Sequence, residues 1–171
     1  MATRSNGKHY LILFVEDNAG VLSRITSLFC QRGFNIDSLT VASTDHPGIS
    51  RITIAFFGDQ RTCEQLIMQT GKLIEVKHVI PTETPFCLLR ELLLVKIEAT
   101  ENNEAQIQKL ITENGFHRID SSEGFVVLEL IGDPLYIDTM LDLLRSFRIV
   151  EMCRTGVTAI ERGRTSYSLE S

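Results

Sequence analysis

A basic excess, clustered cysteines and long apolar runs are all missing from these 171 residues. Seventeen Lys and Arg against 22 Asp and Glu leave a formal net charge of −5, spread along the whole length. A nucleic-acid partner wants a basic stripe, so that class is not expected. The longest apolar runs, Leu11–Val15 and Leu92–Val95, fall far short of the roughly 20 residues that cross a bilayer, so no membrane span is expected. Met1–Lys8 has no apolar signal core and reads as a short mobile arm; the expected location is the cytoplasm. Cys30, Cys63, Cys87 and Cys153 stand apart, without CxxC or CxxH spacing, and His9, His46, His78 and His117 are equally scattered. That pattern predicts small apolar thiols in a reducing compartment and no metal site.

What is present is a globular composition, with 43% apolar residues, arranged as one pattern written twice. Tyr10–Val15 is a short apolar run suited to a strand buried on both faces. Val21, Leu22, Ile25, Leu28 and Phe29 then recur at helical spacing, and Gly33 stands where a helix-ending glycine belongs. Ile36–Ser43 and Ser50–Phe57 alternate as strands around the turn residues Asp45-His46-Pro47-Gly48. Cys63, Leu66, Ile67 and Thr70 mark a second helix stopped by Gly71, and Val76–Ile80 supplies a fourth strand.

Residues 80–85, with two prolines and no periodicity, read as a linker, after which the order begins again. Leu93, Val95, Ile97 and Ala99 alternate; Ile107, Leu110 and Ile111 form a helical stripe closed by Asn114-Gly115. Phe116–Ser121 and Phe125–Ile131 flank Glu123-Gly124, Asp133-Pro134 opens a helix bearing Ile137, Met140, Leu141 and Leu144, and Ile149–Val157 closes the set. The prediction is an α+β chain of two tandem ferredoxin-like βαββαβ sandwiches, at 8–80 and 86–162, with flexible tails at 1–7 and 163–171. Halves this small have limited cores and gain from packing on each other or on a second chain, so an oligomer is expected.

The segment Glu16-Asp17-Asn18-Ala19-Gly20-Val21-Leu22 is the informative one. Asp17 or Asn18 can cap the first helix. Gly20, read as lying in the first helical turn, costs about 1 kcal/mol there relative to Ala. Two readings stay open. Gly20 either avoids a clash with a neighbouring strand or chain, or bares the free amides of a helix start, which suit a carboxylate or phosphate. Asn35, where the chain enters the second strand, serves either turn geometry or a zwitterionic ligand, since its amide both donates and accepts.

Residues 16–25, followed by Gln31-Arg32-Gly33-Phe34-Asn35-Ile36-Asp37-Ser38-Leu39-Thr40-Val41, resemble an ACT domain, and more narrowly the small regulatory subunits of acetolactate synthase. Arg90–Ile97 and Arg154-Thr155-Gly156 are similar to that family's second half. The resemblance implies a non-catalytic subunit that carries no cofactor. It would activate a large catalytic subunit holding thiamine diphosphate, Mg2+ and FAD, and make it sensitive to branched-chain amino acids, typically valine. It further implies a homodimer through the ACT domains with the effector at the seam. Asp17, Asn18, Gly20, Val21 and Leu22 would serve from one protomer, with Gly20, Val21 and Leu22 offering amides, and Asn35 and Ile36 from the other. Many family members have Asn where this chain has Asp17.

Other functions weighed on the sequence are a free-standing amino-acid-sensing ACT protein, a transcriptional regulator and a small acylphosphatase-like hydrolase. The second wants a helix-turn-helix or basic face, which the sequence does not display. The third wants an arginine in the loop after the first strand, where Glu16 and Asp17 stand instead.

Overall fold

The computed structural model describes residues 7–82 and 87–163. The first half runs β1 (Gly7–Glu16), α1 (Val21–Gln31), β2 (Ile36–Ser43), β3 (Ile49–Gly58), α2 (Gln60–Thr70) and β4 (Val76–Thr82). The second repeats the order as β5 (Cys87–Glu98), α3 (Glu104–Glu113), β6 (His117–Ser122), β7 (Phe125–Gly132), α4 (Pro134–Leu144) and β8 (Ile149–Arg154). The sheets read β2-β3-β1-β4 and β6-β7-β5-β8, the same permutation of the same pattern. Two ferredoxin-like βαββαβ units are therefore present.

Why these residues form these elements is plain at the boundaries. Asp59 caps α2 by accepting from the Thr62 amide at 3.0 Å, and Asp133 caps α4 by accepting from Tyr136 at 2.9 Å with Pro134 behind it. Gly33, at φ 74°, ends α1. Its amide donates to Cys30 and that of Phe34 donates to Phe29, satisfying carbonyls the helix leaves open. Packing then follows from the spacing. Leu11, Leu13 and Val15 of β1 meet Val21, Ile25 and Phe29 of α1 and Cys63 and Leu66 of α2 in one core, each large apolar side chain contributing about 1.5–3 kcal/mol on burial. The second core forms likewise, from Leu93, Val95 and Ile97 with Ile107, Leu110, Ile137 and Leu144.

Burial also governs the Cys63 thiol, which it pushes up to about 11, Asp59 and Glu64 adding to the shift. The thiol form is thus favoured in the folded chain. Stability from this group is complete below the ordinary value of 9.0 and declines as pH rises from there towards 11. Iodoacetamide at mildly alkaline pH is expected to modify the exposed Cys30 and to spare Cys63 until the chain unfolds; mass spectrometry of the peptides reads this.

Several expectations need correction. Pro81 and Thr82 belong to β4, not to a linker: β4 is an edge strand, where a missing N–H is tolerated, and Pro81 pairs with Leu11. The rest of the expected linker, residues 83–85, lies outside the described residues. So do the predicted tails, except that Gly7 opens β1 opposite Gly58 and Gly163 forms a turn. The closing strand expected over Ile149–Val157 stops at Arg154, and a short further strand, β9 (Thr158–Glu161), follows.

The chain divides into two compact units. One holds the described residues up to Leu88 together with those from Gly156 onward; the other is Leu89–Thr155. In the first unit Gly156 lies against β2 so closely that an added Cβ would stand 2.6 Å from Thr40 Oγ1 and 3.0 Å from the Leu39 carbonyl oxygen. Gly156→Ala is therefore expected to lower stability by about 1–3 kcal/mol, measured as a reduced thermal midpoint.

Candidate functional site

β1 ends at Glu16, and the chain must reverse to lay α1 on the sheet. Two neighbours hold the exit: the Glu16 amide donates to the Glu75 carbonyl at 2.9 Å, and the Asp17 amide to Gly48 at 2.8 Å. The Val21 amide closes the turn on Asn18 at 3.3 Å. Gly20 is the residue that starts the helix, at φ 88° and ψ −10°. In that left-handed conformation a side chain costs about 1–2 kcal/mol.

This differs from the expected arrangement. No side chain caps α1: Asp17 is exposed, and the Asn18 amide donates instead to Glu16 at 2.9 Å. Gly20 precedes the first turn rather than lying within it. Nor does it avoid a clash with a neighbouring strand of its own chain, since a Cβ built on it meets nothing within 4 Å. Glycine is required by the backbone conformation, and the space above it is open.

The chemistry of the turn follows from its donors. The Val21 amide is engaged with Asn18, while those of Gly20, Leu22 and Ser23 have no backbone acceptor among the described residues. They sit at the positive end of α1, where the helix dipole favours negative charge. Ser23 was not singled out by the sequence reading; its position as third residue of the helix is the signal that identifies it. Nearby charges are already matched. Arg24 pairs with Glu75, and Lys77 with Glu16 at 2.5 Å. The Lys77 ammonium, by hydrogen bond and then by charge, holds the Glu16 carboxyl below its usual range.

Asn35 and Ile36 lie elsewhere. Ile36 is level with Phe56, which pairs with His9 near the start of β1, whereas Gly20 follows Glu16 at its end. Seven residues of β1 separate the two levels, about 23 Å at ~3.3 Å per residue. Within one chain, then, the Gly20 turn and the Asn35–Ile36 strand entry cannot touch one small ligand. Asn35 is exposed, and Ile36 packs partly on the core.

Comparison with known proteins supplies the family. Residues 11–78 match the model of the acetolactate synthase (AHAS) small-subunit-like ACT domain, and residues 90–163 that of the small subunit of acetolactate synthase. The "Probable acetolactate synthase small subunit" of Methanothermobacter thermautotrophicus is 40% identical over 158 residues, covering 91% of this chain and 93% of that one. The chain belongs to the acetolactate synthase small-subunit family. The isozyme 3 small subunit of Escherichia coli is another relative, 36% identical over 91% of this chain and 96% of its own. The crystal structure of the acetolactate synthase small subunit from Thermotoga maritima superposes with a TM-score of 0.83 at 31% identity, over 93% of this chain and 99% of that one. Membership in this small-subunit family fixes the ACT identity of the first half and places the chain in branched-chain amino-acid biosynthesis. Among the described residues no group of His, Cys, Asp or Glu is disposed to hold a metal ion, and no helix is long and apolar enough to cross a membrane.

Proposed function

We propose that this chain is the regulatory subunit that activates a catalytic acetolactate synthase subunit and subjects it to feedback inhibition by a branched-chain amino acid, valine first among them. It performs no chemistry itself; thiamine diphosphate, Mg2+ and FAD belong to the catalytic partner. The observation carrying the reading is the Gly20 turn, where three helix-start amides have no backbone acceptor among the described residues, the space at the Gly20 Cβ position is open, and Asp17 is exposed. An amino acid's carboxylate meets those amides, and Asp17 offers its ammonium a counter-charge.

The separation of Gly20 from Asn35 supports a dimer. β2 is an edge strand, with one row of backbone groups left open by β3. Its Ser43 end lies level with Val15, near the Gly20 turn, while Ile36 is at the far end. Two copies paired antiparallel through β2 therefore bring Asn35 and Ile36 of one chain toward the Gly20 turn of the other, closing the ligand between them. Effector binding then favours one dimer arrangement, which the catalytic partner feels as a coupling of about 1–3 kcal/mol. The second unit, Leu89–Thr155, which makes up most of the half read from the sequence as 86–162, is assigned to contact with that partner.

Calorimetric titration of the purified chain with valine, leucine and isoleucine tests the site. Heat with at least one is expected, and silence with all three rejects it. Co-expression with the catalytic chain tests the role: higher activity, and inhibition by the ligand that binds, are the expected results.

A further inference from the structure

The sequence singles out Arg154-Thr155-Gly156, and the Gly20 turn gives that trio no role. It lies where the chain returns from the second compact unit to the first, the crossing falling between Thr155 and Gly156. Boundaries of this kind ordinarily fall in exposed, flexible segments where few contacts hold the chain. Here the residues on both sides of the crossing are held, each inside its own unit.

On the second-unit side, Thr155 is tied to β5 twice. Its amide donates to the Leu92 carbonyl and its hydroxyl accepts from the Leu92 amide, both at 3.0 Å. Arg154 is tied to sheet and helix alike. Its Nε donates to Glu91 Oε2 of β5 at 2.6 Å, its Nη1 to Asp138 of α4 at 2.6 Å, and its Nη2 to the Pro134 carbonyl at 3.3 Å. Glu91 is itself buried, so displacing Arg154 would leave an unpaired carboxylate inside the protein, which is strongly unfavourable.

On the first-unit side, Gly156 sits in a notch of β2, with no room for a Cβ beside Thr40 Oγ1 and the Leu39 carbonyl. Val157 and Ala159 are buried, and the Ala159 carbonyl accepts from Arg51 Nη2 of β3. The hold is local, since Thr158, Ile160 and Glu161 line a cavity of about 430 Å³ with Ile12, Phe14 and Arg51. Between anchored Thr155 and anchored Gly156 stands a single peptide bond, planar and resistant to twisting. No residue is left over to absorb a shift.

The two strands that hold the return segment are also the two that reach the proposed effector site. β2 begins at Ile36, and β3 follows Gly48, whose carbonyl holds the Asp17 amide beside the Gly20 turn. A ligand closed between the Gly20 turn and Ile36 biases where these strands sit. Packed contacts move together under such a bias instead of deforming gradually.

We propose that the Thr155–Gly156 joint relays the effector-bound state of the first unit to the second, because the chain has no slack there in which the signal could be lost. The relay rests on the effector role of the Gly20 turn, and it supplies the route by which a ligand in one unit is felt in the other.

Slack introduced at the joint tests it. Gly-Ser-Gly inserted between Thr155 and Gly156 keeps every anchoring residue, and the full chain is co-expressed with the catalytic chain. Valine binding by calorimetry is expected to be unchanged, and activity without valine to be kept. Inhibition by valine is expected to fall toward none, from a coupling of about fivefold or more in allosteric proteins. Thr155→Val, which removes only the hydroxyl that serves the Leu92 amide, is expected to lose part of the inhibition, and Thr155→Ser to keep it. A folded insertion variant that binds valine and is inhibited as fully as the unmodified complex overturns the relay. Where the insertion variant fails to fold, undiminished inhibition in Thr155→Val overturns it. Loss of valine binding in a folded insertion variant does so too, because the joint would then be part of the site. Silence of the unmodified chain toward valine, leucine and isoleucine is a different failure: it removes the effector role, and the relay with it.

Discussion

Replacing Gly20 with Asp is expected to abolish amino-acid binding at the helix start while leaving the fold in place. Two effects separate cleanly. The backbone there is left-handed, at φ 88°, a conformation that costs most side chains about 1–2 kcal/mol but that Asp and Asn tolerate better than others. The helix therefore survives. The new side chain, however, enters the open space beside Gly20, at the helix start whose Gly20, Leu22 and Ser23 amides have no backbone acceptor among the described residues, where its carboxylate is expected to compete for the donors and repel the ligand's own carboxylate. Losing two charge-assisted hydrogen bonds at roughly 1.5–3 kcal/mol each amounts to at least a hundredfold weaker binding. Calorimetry with valine measures the loss, and far-UV circular dichroism measures the retained fold. Unaltered valine affinity in this variant would place the effector somewhere else. Gly20→Asn, isosteric and uncharged, should retain more of the affinity, and the difference isolates the charge.

Phe29→Ala is expected to produce the largest loss of stability in the first half, about 3–5 kcal/mol for emptying a fully buried aromatic site. Phe29 is completely buried, and its ring meets Phe56 and Phe34 edge-on at 5.4 and 6.4 Å between centres. Phe34 in turn stands edge-on to Phe56 at 5.4 Å. The three rings form one cluster, and Phe34 immediately precedes Asn35. Emptying the centre thus loosens the strand entry as well as the core. Urea denaturation followed by circular dichroism should show an earlier midpoint, and valine affinity should fall as well, though by less than in Gly20→Asp. A midpoint shift without any change in affinity would separate Asn35 from the ligand.

Both sandwiches were legible in the sequence because each helix shows its buried face at regular spacing and each turn carries its own chemistry. Asp133-Pro134 and Gly33 do in the structure what their residue types announce. The Gly20 turn was located correctly but its geometry was not. Asp17 and Asn18 are good capping residues by type, yet two tertiary hydrogen bonds, from Glu16 to Glu75 and from Asp17 to Gly48, set the exit of β1 so that Gly20 takes the starting position. Those partners lie 59 and 31 residues away in sequence, and no local pattern contains them. The cavity at Arg51 went unread for a related reason. Apolar residues on both faces of β1 did signal cover on each side, but β9 is four residues long with one buried side chain, too short to show a period.

The position of β9 also bears on the order in which the protein is made. The first sheet leaves the ribosome early, yet Ile12 and Phe14 share a cavity with Thr158, Ile160 and Glu161, residues translated after the entire second half. Until then the nascent chain carries an uncovered greasy surface, the kind of feature that makes partly synthesised proteins cling to one another or to chaperones. A message truncated just after Thr155 would leave that surface less covered for good.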